Sequence, residues 1–279
     1  MKMKLDLKFF FLIVLAVNCF ACSNPNKKVE EILVVEIDSL INVNPSLELL
    51  DAVLWVQNSA EYKACCYQAF NFAKIAVENN LKEMKLDKPA AVVFDLDETL
   101  LDNSKYEAQL IKDAKVFSKK IWTEWCNAEA ATAVPGAMEF IEYIMSKGIE
   151  VVYISNRLDK SEKEATILNM KKIGFPDIKP ENMKFKINTS SKADRRKEIE
   201  SKYNVILYVG DNLADFNDIF EQRTKKDDKT TTIKKQQNLL GTYYIILPNP
   251  MYGDWAETLE NTTQERIDSN IQGWRLNIN

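Results

Sequence analysis

The chain has 279 residues, 46% of them hydrophobic and 28% charged, with a net charge of −4. That is room for one large domain or a core with a small cap, and the acidic balance excludes a general binder of nucleic-acid polymers, whose phosphates need a basic surface. The chain has no histidine, which excludes Ser-His and Cys-His nucleophiles, phosphohistidine chemistry and histidine-based zinc sites and leaves acid–base work to carboxylates, Lys, Tyr or Cys.

Residues 1–21 read as a lipoprotein signal peptide. Lys2, Lys4 and Lys8 precede an apolar run from Phe9 to Val17, too short to span a bilayer as an ordinary helix but suited to a signal. Ala21-Cys22 resembles the cleavage box of bacterial lipoproteins, with Cys22 as the lipidation site and Cys19, after Asn18, a weaker one. The competing reading is an ordinary secretory signal with an incidental Cys. Cleavage would leave a chain of charge near −6, since Lys2, Lys4, Lys8 and Asp6 depart. The expected product is a domain held to the bacterial cell envelope, at the outer membrane, through a tether and linker over 22–45. Cys65, Cys66 and Cys126 match no zinc or haem spacing. Adjacent Cys65 and Cys66 are poorly placed to bridge each other, so a bridge from one of them to Cys126 and buried free thiols both stay open.

Beyond the tether, a helix is expected from Pro45 or Ser46, with Leu47, Leu50, Val53, Leu54, Trp55 and Val56 on a broad apolar face. A second, from Ser59 or Ala60 to about Met84, carries apolar residues near helical spacing. Leu86-Asp87-Lys88-Pro89 breaks it, and Ala91–Phe94 begins a strand. Helices follow at Lys105–Phe117 and within Lys119–Ala133, where Trp122 and Trp125 stand close together, and at Ala137–Lys147. Next come a strand Glu150–Ser155, a helix Ser161–Ile173, a strand Met183–Ile187, a helix Ala193–Ser201 and a strand Val205–Gly210. A polar loop over Gln222–Asn238, a last strand Tyr243–Leu247 and a helical tail from Asp254 complete the chain. Strands alternating with helices indicate an α/β fold with a parallel sheet, whose ligands bind at the carboxyl ends of the strands.

The chemistry gathers at those ends. Asp95 and Asp97 follow the first strand, and residues two apart share a face, so both are expected to look at one point. Acids that close repel unless a cation lies between them or one keeps its proton. That implies a metal ion, or a nucleophile with a proton donor. Ser155-Asn156, Lys192, and Asp211 with Asp215 each follow a later strand. Gly210 is expected to permit a tight turn or a positive φ, and Asp215, four residues after Asp211, can return to the same side. Four carboxylates suit Mg²⁺. Ser155 offers a hydroxyl and Lys192 a point charge, as phosphoryl transfer requires.

These motifs resemble the haloacid dehalogenase (HAD) superfamily and, within it, the class C "DDDD" acid phosphatases, bacterial lipoproteins that often act as 5′-nucleotidases. The resemblance rests on VFDLDETLLDNSKY from Val93, ILYVGDNLADF (Ile206–Phe216), Ile154-Ser155-Asn156-Arg157, Ser190-Ser191-Lys192 and LPNPMYG (Leu247–Gly253), and with the lipobox it covers nearly the whole chain. Phe94 before the first acid and Leu100 after Thr99 are small apolar departures. The resemblance implies a HAD-like Rossmannoid parallel sheet with helices on both faces and a small, mainly helical cap. The core would be 89–104 and 134–279, the cap insertion 105–133, and the helical segment 46–88 would contribute to the cap.

It also implies roles. Asp95 attacks phosphorus, forming an aspartyl-phosphate. Asp97 protonates the leaving group and then deprotonates water, touching the metal through its backbone carbonyl. Asp95 and Asp211 ligate Mg²⁺, with Asp215 doing so directly or through water. Ser155, Asn156 and Lys192 hold phosphate oxygens, Thr99 steadies the loop, and Trp122 and Tyr252 contact the substrate, with Tyr106 at the mouth. The substrates are small phosphomonoesters, nucleoside 5′-monophosphates and other aromatic monoesters foremost. Family members are often homodimers, although no stretch here marks an interface. Two other readings stand beside this one: a surface lipoprotein binding a ligand such as haem on a phosphatase fold, and a phosphotransferase to alcohols.

Overall fold

The computed structural model describes residues 44–221 and 229–257. Chain contacts divide it into Met1–Pro45 and Ser46–Asn279, and the architecture is that of the second unit. The expected signal and Cys22 lie outside the described residues. Among the described residues no helix is long and apolar enough to cross a membrane.

The apolar run at residues 90–94 becomes β1 (Ala90–Phe94), the centre of a five-stranded sheet. Its partners are β4 (Glu150–Leu158), β5 (Met183–Lys186), β6 (Asn204–Gly210) and β7 (Tyr244–Ile246), in the order β5-β4-β1-β6-β7. Every pairing in it is parallel. Chain order runs outward from β1 first to β4 and β5, then to β6 and β7. The switch point therefore lies between β1 and β6, where an open sheet leaves a crevice at its carboxyl edge.

Alternation along β1 feeds two cores. Val92 and Phe94 join Phe70, Phe140 and Ile206 on one side, and Ala91 and Val93 join Ile199, Tyr208, Phe216 and Tyr244 on the other. Each fully buried Phe or Leu among them stabilises the fold by roughly 1.5–3 kcal/mol.

The first face is covered by α2 (Ala60–Glu83), which Ser59 starts by accepting the Tyr62 N–H at 3.0 Å. Asn80 of α2 donates to Ile206 O at 2.7 Å and Thr242 O at 2.8 Å, fastening the helix to the sheet. Before it, α1 (Leu50–Asn58) lies against α3 (Ser104–Asp113). Within the segment 46–88, α2 packs beside β6 and β7 and α1 beside α3. The remaining α-helices among the described residues are α4 (Lys119–Asn127), α5 (Ala137–Ser146), α6 (Lys163–Ile173), α7 (Ala193–Lys202), α8 (Lys229–Lys235) and α9 (Asp254–Glu257).

Four elements depart from expectation. Helix α3 stops at Asp113 instead of Phe117, because Ala114 turns left-handed (φ 51°) and Lys115 N–H closes back on Leu110 O at 3.0 Å. This is a glycine-type stop made without glycine, so composition does not announce it. Two-residue strands β2 (Leu101–Asp102) and β3 (Thr132–Ala133) pair antiparallel and bring together the two ends of the stretch between them, too briefly for alternation to show. The expected polar loop contains α8.

Candidate active site

The turn after β1 is tightly specified. Leu96 O accepts the N–H groups of Leu100 and Leu101, both at 2.8 Å. Glu98 takes φ 56°, a conformation that costs a bulky side chain on the order of 1 kcal/mol. Asn103 holds it there, donating its N–H to Glu98 Oε1 at 2.8 Å and its side-chain N–H to Oε2 at 3.1 Å. Burial raises the Glu98 carboxyl well above its ordinary range, with the Asp97 and Asp211 charges adding to the rise.

Around this turn the two acids meet different partners. Carboxylate oxygens of Asp95, Asp211 and Asp215 lie within 4.8 Å of one another, but that of Asp97 is not among them. The two carboxylates meet different buried cations, Lys192 for Asp95 and Arg157 for Asp97, while the Asp97 charge still acts on Asp95. Asp95 accepts from Lys192 Nζ, which also donates to Asp215 Oδ1 at 2.7 Å. Asp97 accepts from Arg157, through Nη2 at 2.8 Å and Nε at 2.9 Å. The strand ends at Phe94, although the Asp95 N–H still donates to Val209 O at 2.9 Å. Two buried cations that need anionic partners decide where each acid goes.

Lys192 is 5% exposed, although its sequence surroundings are densely charged. It stands just before α7, and its Nζ is shared by two carboxylates. Burial lowers its proton affinity, but Asp215 and Asp95 outweigh this and hold it above its usual value. The Asp95 carboxyl is nevertheless pushed up to about 7, by burial first and with Asp215 and Asp97 adding to it. Asp211 rises well above the carboxylate range by burial, then by Asp215 and Asp95. Both directions hold together, because three acids share one ammonium.

Asp215 reaches the cluster through a short turn, Leu213–Asp215, whose start Asn212 caps by accepting the Ala214 N–H, while Asp215 Oδ2 accepts the Asn212 N–H at 3.0 Å. A Cβ on Gly210 would lie 2.5 Å from Asp215 Oδ2 and 2.7 Å from its Cβ. Gly210 is not among the residues with positive φ, which corrects the expected reason for it: the glycine makes room for Asp215, not a left-handed turn.

The other expected phosphate contacts lie nearby. Ser155 and Asn156 sit inside β4, which runs on to Leu158, and not after it. Ser155 is buried and its Oγ accepts the Arg157 N–H at 3.1 Å. Asn156 is exposed and its Oδ1 is taken by Arg195 Nη2 at 2.7 Å. A recess of about 240 Å³ is lined by Asn156, Ser190, Ser191, Lys192, Asn212 and Asp215, among others. A groove of about 520 Å³ is lined by Cys65, Phe72, Asp211, Leu247, Asn249 and Trp255, among others.

Trp122 lies edge-on to Tyr106, at 5.1 Å between ring centroids, and over the Arg157 guanidinium at 5.6 Å. Tyr252 is half-buried with its hydroxyl buried and unpaired, and its backbone N–H goes to Asn249 Oδ1 at 3.3 Å. Tyr106 is buried, so it does not line a mouth. Thr99 Oγ1 donates to Asp211 Oδ1 at 3.4 Å. The three described cysteines are free, Cys66 and Cys126 buried and Cys65 exposed.

Four residues of this neighbourhood were not singled out as site residues. Arg157 and Asn103 hold Asp97. Asn249 donates to Asp211 Oδ2 at 2.8 Å. Arg195 ties β4 to the loop before α7, donating to Ser155 O at 2.6 Å and Ser191 O at 2.9 Å. An arginine inside an apolar strand, and an asparagine between two prolines, are the signals that could have marked two of them.

The donor set fits a hard cation. Three carboxylates converge, they repel, and the one ammonium among them leaves anionic charge uncompensated.

The comparisons with known proteins agree with this geometry. Residues 23–255 match the family model described as HAD superfamily, subfamily IIIB (Acid phosphatase). The crystal structure of a class C acid phosphatase from Bacillus anthracis with tungstate bound is 33% identical and covers 82% of this chain and 96% of its own, with a TM-score of 0.75. Among curated proteins, a stem 31 kDa glycoprotein of Glycine max is 25% identical over 68% of each chain, and a stem 28 kDa glycoprotein of the same plant is 25% identical over 57% of this chain and 62% of its own. The parallel sheet, the acid cluster at its carboxyl edge and these matches lead to one conclusion: the chain belongs to the acid phosphatases of HAD subfamily IIIB, of class C, and is a phosphomonoesterase.

Proposed function

We propose that the enzyme is a Mg²⁺-dependent hydrolase of small phosphomonoesters that works through an aspartyl-phosphate on Asp95. The observation that carries this is the convergence of Asp95, Asp211 and Asp215 within 4.8 Å, with buried Lys192 joining two of them. Asp95, Asp211, Asp215 and the backbone carbonyl of Asp97 would hold the ion, which when bound would offset the charge on the phosphoryl oxygens. Ser155, Asn156 and Lys192 would orient those oxygens.

A carboxylate oxygen of Asp95 bonds to phosphorus as the bond to the leaving oxygen breaks, and Asp97 gives that oxygen its proton. Asp97 then takes a proton from water, whose oxygen bonds to phosphorus as the bond to Asp95 breaks. Phosphate leaves and both acids are restored. The groove beside Asp211 has aromatic walls in Phe72 and Trp255, which favours nucleoside 5′-monophosphates and other aromatic monoesters. Trp122 and Tyr252 are proposed as further substrate contacts. The same proposal anchors the enzyme through lipid on Cys22 to the bacterial outer membrane. Metabolic labelling with a fatty acid, lost in Cys22→Ala, would test the anchor.

The test of the chemistry is hydrolysis of p-nitrophenyl phosphate by the purified protein. EDTA should stop it and Mg²⁺ restore it, and Asp95→Asn should abolish it with the fold intact. Full activity in that variant would remove Asp95 as the nucleophile. Activity that survives EDTA would remove the metal. A panel of nucleotides against sugar phosphates would settle the leaving-group preference.

A further inference from the structure

The Asp97 carboxylate is held almost entirely by one oxygen. Oδ1 accepts from Arg157 Nη2 at 2.8 Å, from Arg157 Nε at 2.9 Å and from Asn103 Nδ2 at 2.9 Å. Oδ2 has only a longer contact, from Arg157 Nε at 3.3 Å.

Both donors are themselves fixed. Arg157 is 1% exposed. Its Nη1 donates to Thr166 Oγ1 at 3.1 Å, its Nη2 also reaches Asn103 Oδ1 at 3.1 Å, and the Trp122 ring lies against its guanidinium. Asn103 is fully buried, and its Oδ1 also accepts Trp125 Nε1 at 2.8 Å. The two tryptophans belong to α4, so that helix is tied to Asp97 through both donors.

We propose that Arg157 is a positioning residue for proton transfer: with Asn103 it pins Asp97 by Oδ1 and leaves Oδ2 as the oxygen that carries the proton. This rests on the reading of Asp97 as acid and base. Three N–H groups pointing at Oδ1 leave no room for a fourth hydrogen there. Oδ2 has room. When the Oδ2–H bond breaks and the proton goes to the leaving oxygen, the carboxylate that remains faces a guanidinium already in place. When water is deprotonated, the proton returns to Oδ2. An arginine suits this task because it presents two N–H groups in a rigid fork and does not give up its own proton, so it cannot stand in for the acid it holds. The contact between Trp122 and Arg157 gives that tryptophan a duty besides any contact with substrate.

The test compares kcat/KM on an alkyl phosphate with kcat/KM on p-nitrophenyl phosphate, since an alkoxide needs a proton to leave and p-nitrophenolate does not. A lost general acid costs about 10²–10⁴-fold where it is needed. Arg157→Lys should lower kcat/KM on the alkyl ester at least ~10-fold more than on the aryl ester, and Asn103→Ser should act in the same direction. Equal losses on both esters, as a structural role alone would give, or no loss, would overturn the proposal. Should Arg157→Lys fail to fold, Asn103→Ser carries the same comparison. Asp97→Asn on the same pair separates the two levels. If it shows no selective loss on the alkyl ester, the acid assignment fails. If it does while Arg157→Lys and Asn103→Ser do not, the acid stands and the clamp is wrong.

Discussion

Asp95 and Asp97 are two residues apart on one turn, and each meets a buried cation, yet their surroundings differ in kind. Asp95 shares one ammonium with Asp215 and sits beside Asp211. Asp97 has a guanidinium to itself, gripped through a fork. A lysine is a point charge on a flexible stem, and an arginine is a planar fork. The first site is therefore short of positive charge and open to an ion and a phosphoryl group. The second is balanced and geometrically fixed. The chain makes two kinds of surroundings for one residue type by choosing the cation and how many acids share it.

Paired substitutions test that contrast, and the largest expected effect is on catalysis. Asp95→Asn should lower turnover at least ~10⁴-fold on every ester, while the melting temperature in EDTA holds or rises, because one of three repelling carboxylates is gone. Asp97→Asn should lower the melting temperature instead, since it leaves Arg157 buried without its anion, at a cost of about 3–5 kcal/mol. Equal melting shifts in the two variants would break the comparison.

Lys192→Met comes next. It leaves Asp95 and Asp215 buried without their ammonium and should destabilise the protein by about 3 kcal/mol in EDTA, with part of the loss regained when Mg²⁺ is added. Indifference to Mg²⁺ would show that the ion does not neutralise this cluster. Gly210→Ala should cost about 1–3 kcal/mol as the new methyl displaces Asp215, and should raise the Mg²⁺ needed for half-maximal activity.

The last effect is stabilising and concerns a buried acid that forms no ion pair with a cation among the described residues. Glu107 is 5% exposed, and burial alone raises its carboxyl to about 7. Its folded value lies above its unfolded one, so the folded state binds the proton more tightly and stability falls as pH rises from about 4.5 to about 7. Glu107→Gln should stabilise the protein by about 3 kcal/mol at pH 8 and by almost nothing at pH 4, as read from urea midpoints.

The parallel sheet was legible because its strands are short apolar runs between helical patterns, with polar residues just past them. Asp95, Asp211, Asp215 and Lys192 were legible as a set for the same reason. What the linear pattern hides is pairing across the chain. The burial of Lys192 depends on acids 97 and 23 residues away, which its own charged neighbours do not reveal. Arg157 meets Asp97 across 60 residues, and Asn249 meets Asp211 across 38. Period-two alternation put two acids at the end of β1, while the turn beyond Phe94, with Glu98 left-handed, has no linear pattern to mark it. The early stop of α3 has no glycine to mark it.

The ammonium of Lys192 has a consequence for the order of assembly. With all groups ionised, the three clustered carboxylates and this one ammonium carry a net charge of minus two, which one divalent ion would cancel. The covalently attached cation keeps the acids gathered before any ion arrives. An ion of the kind the proposed function requires would then enter a cluster already gathered, like a plug meeting a socket whose shape does not depend on it.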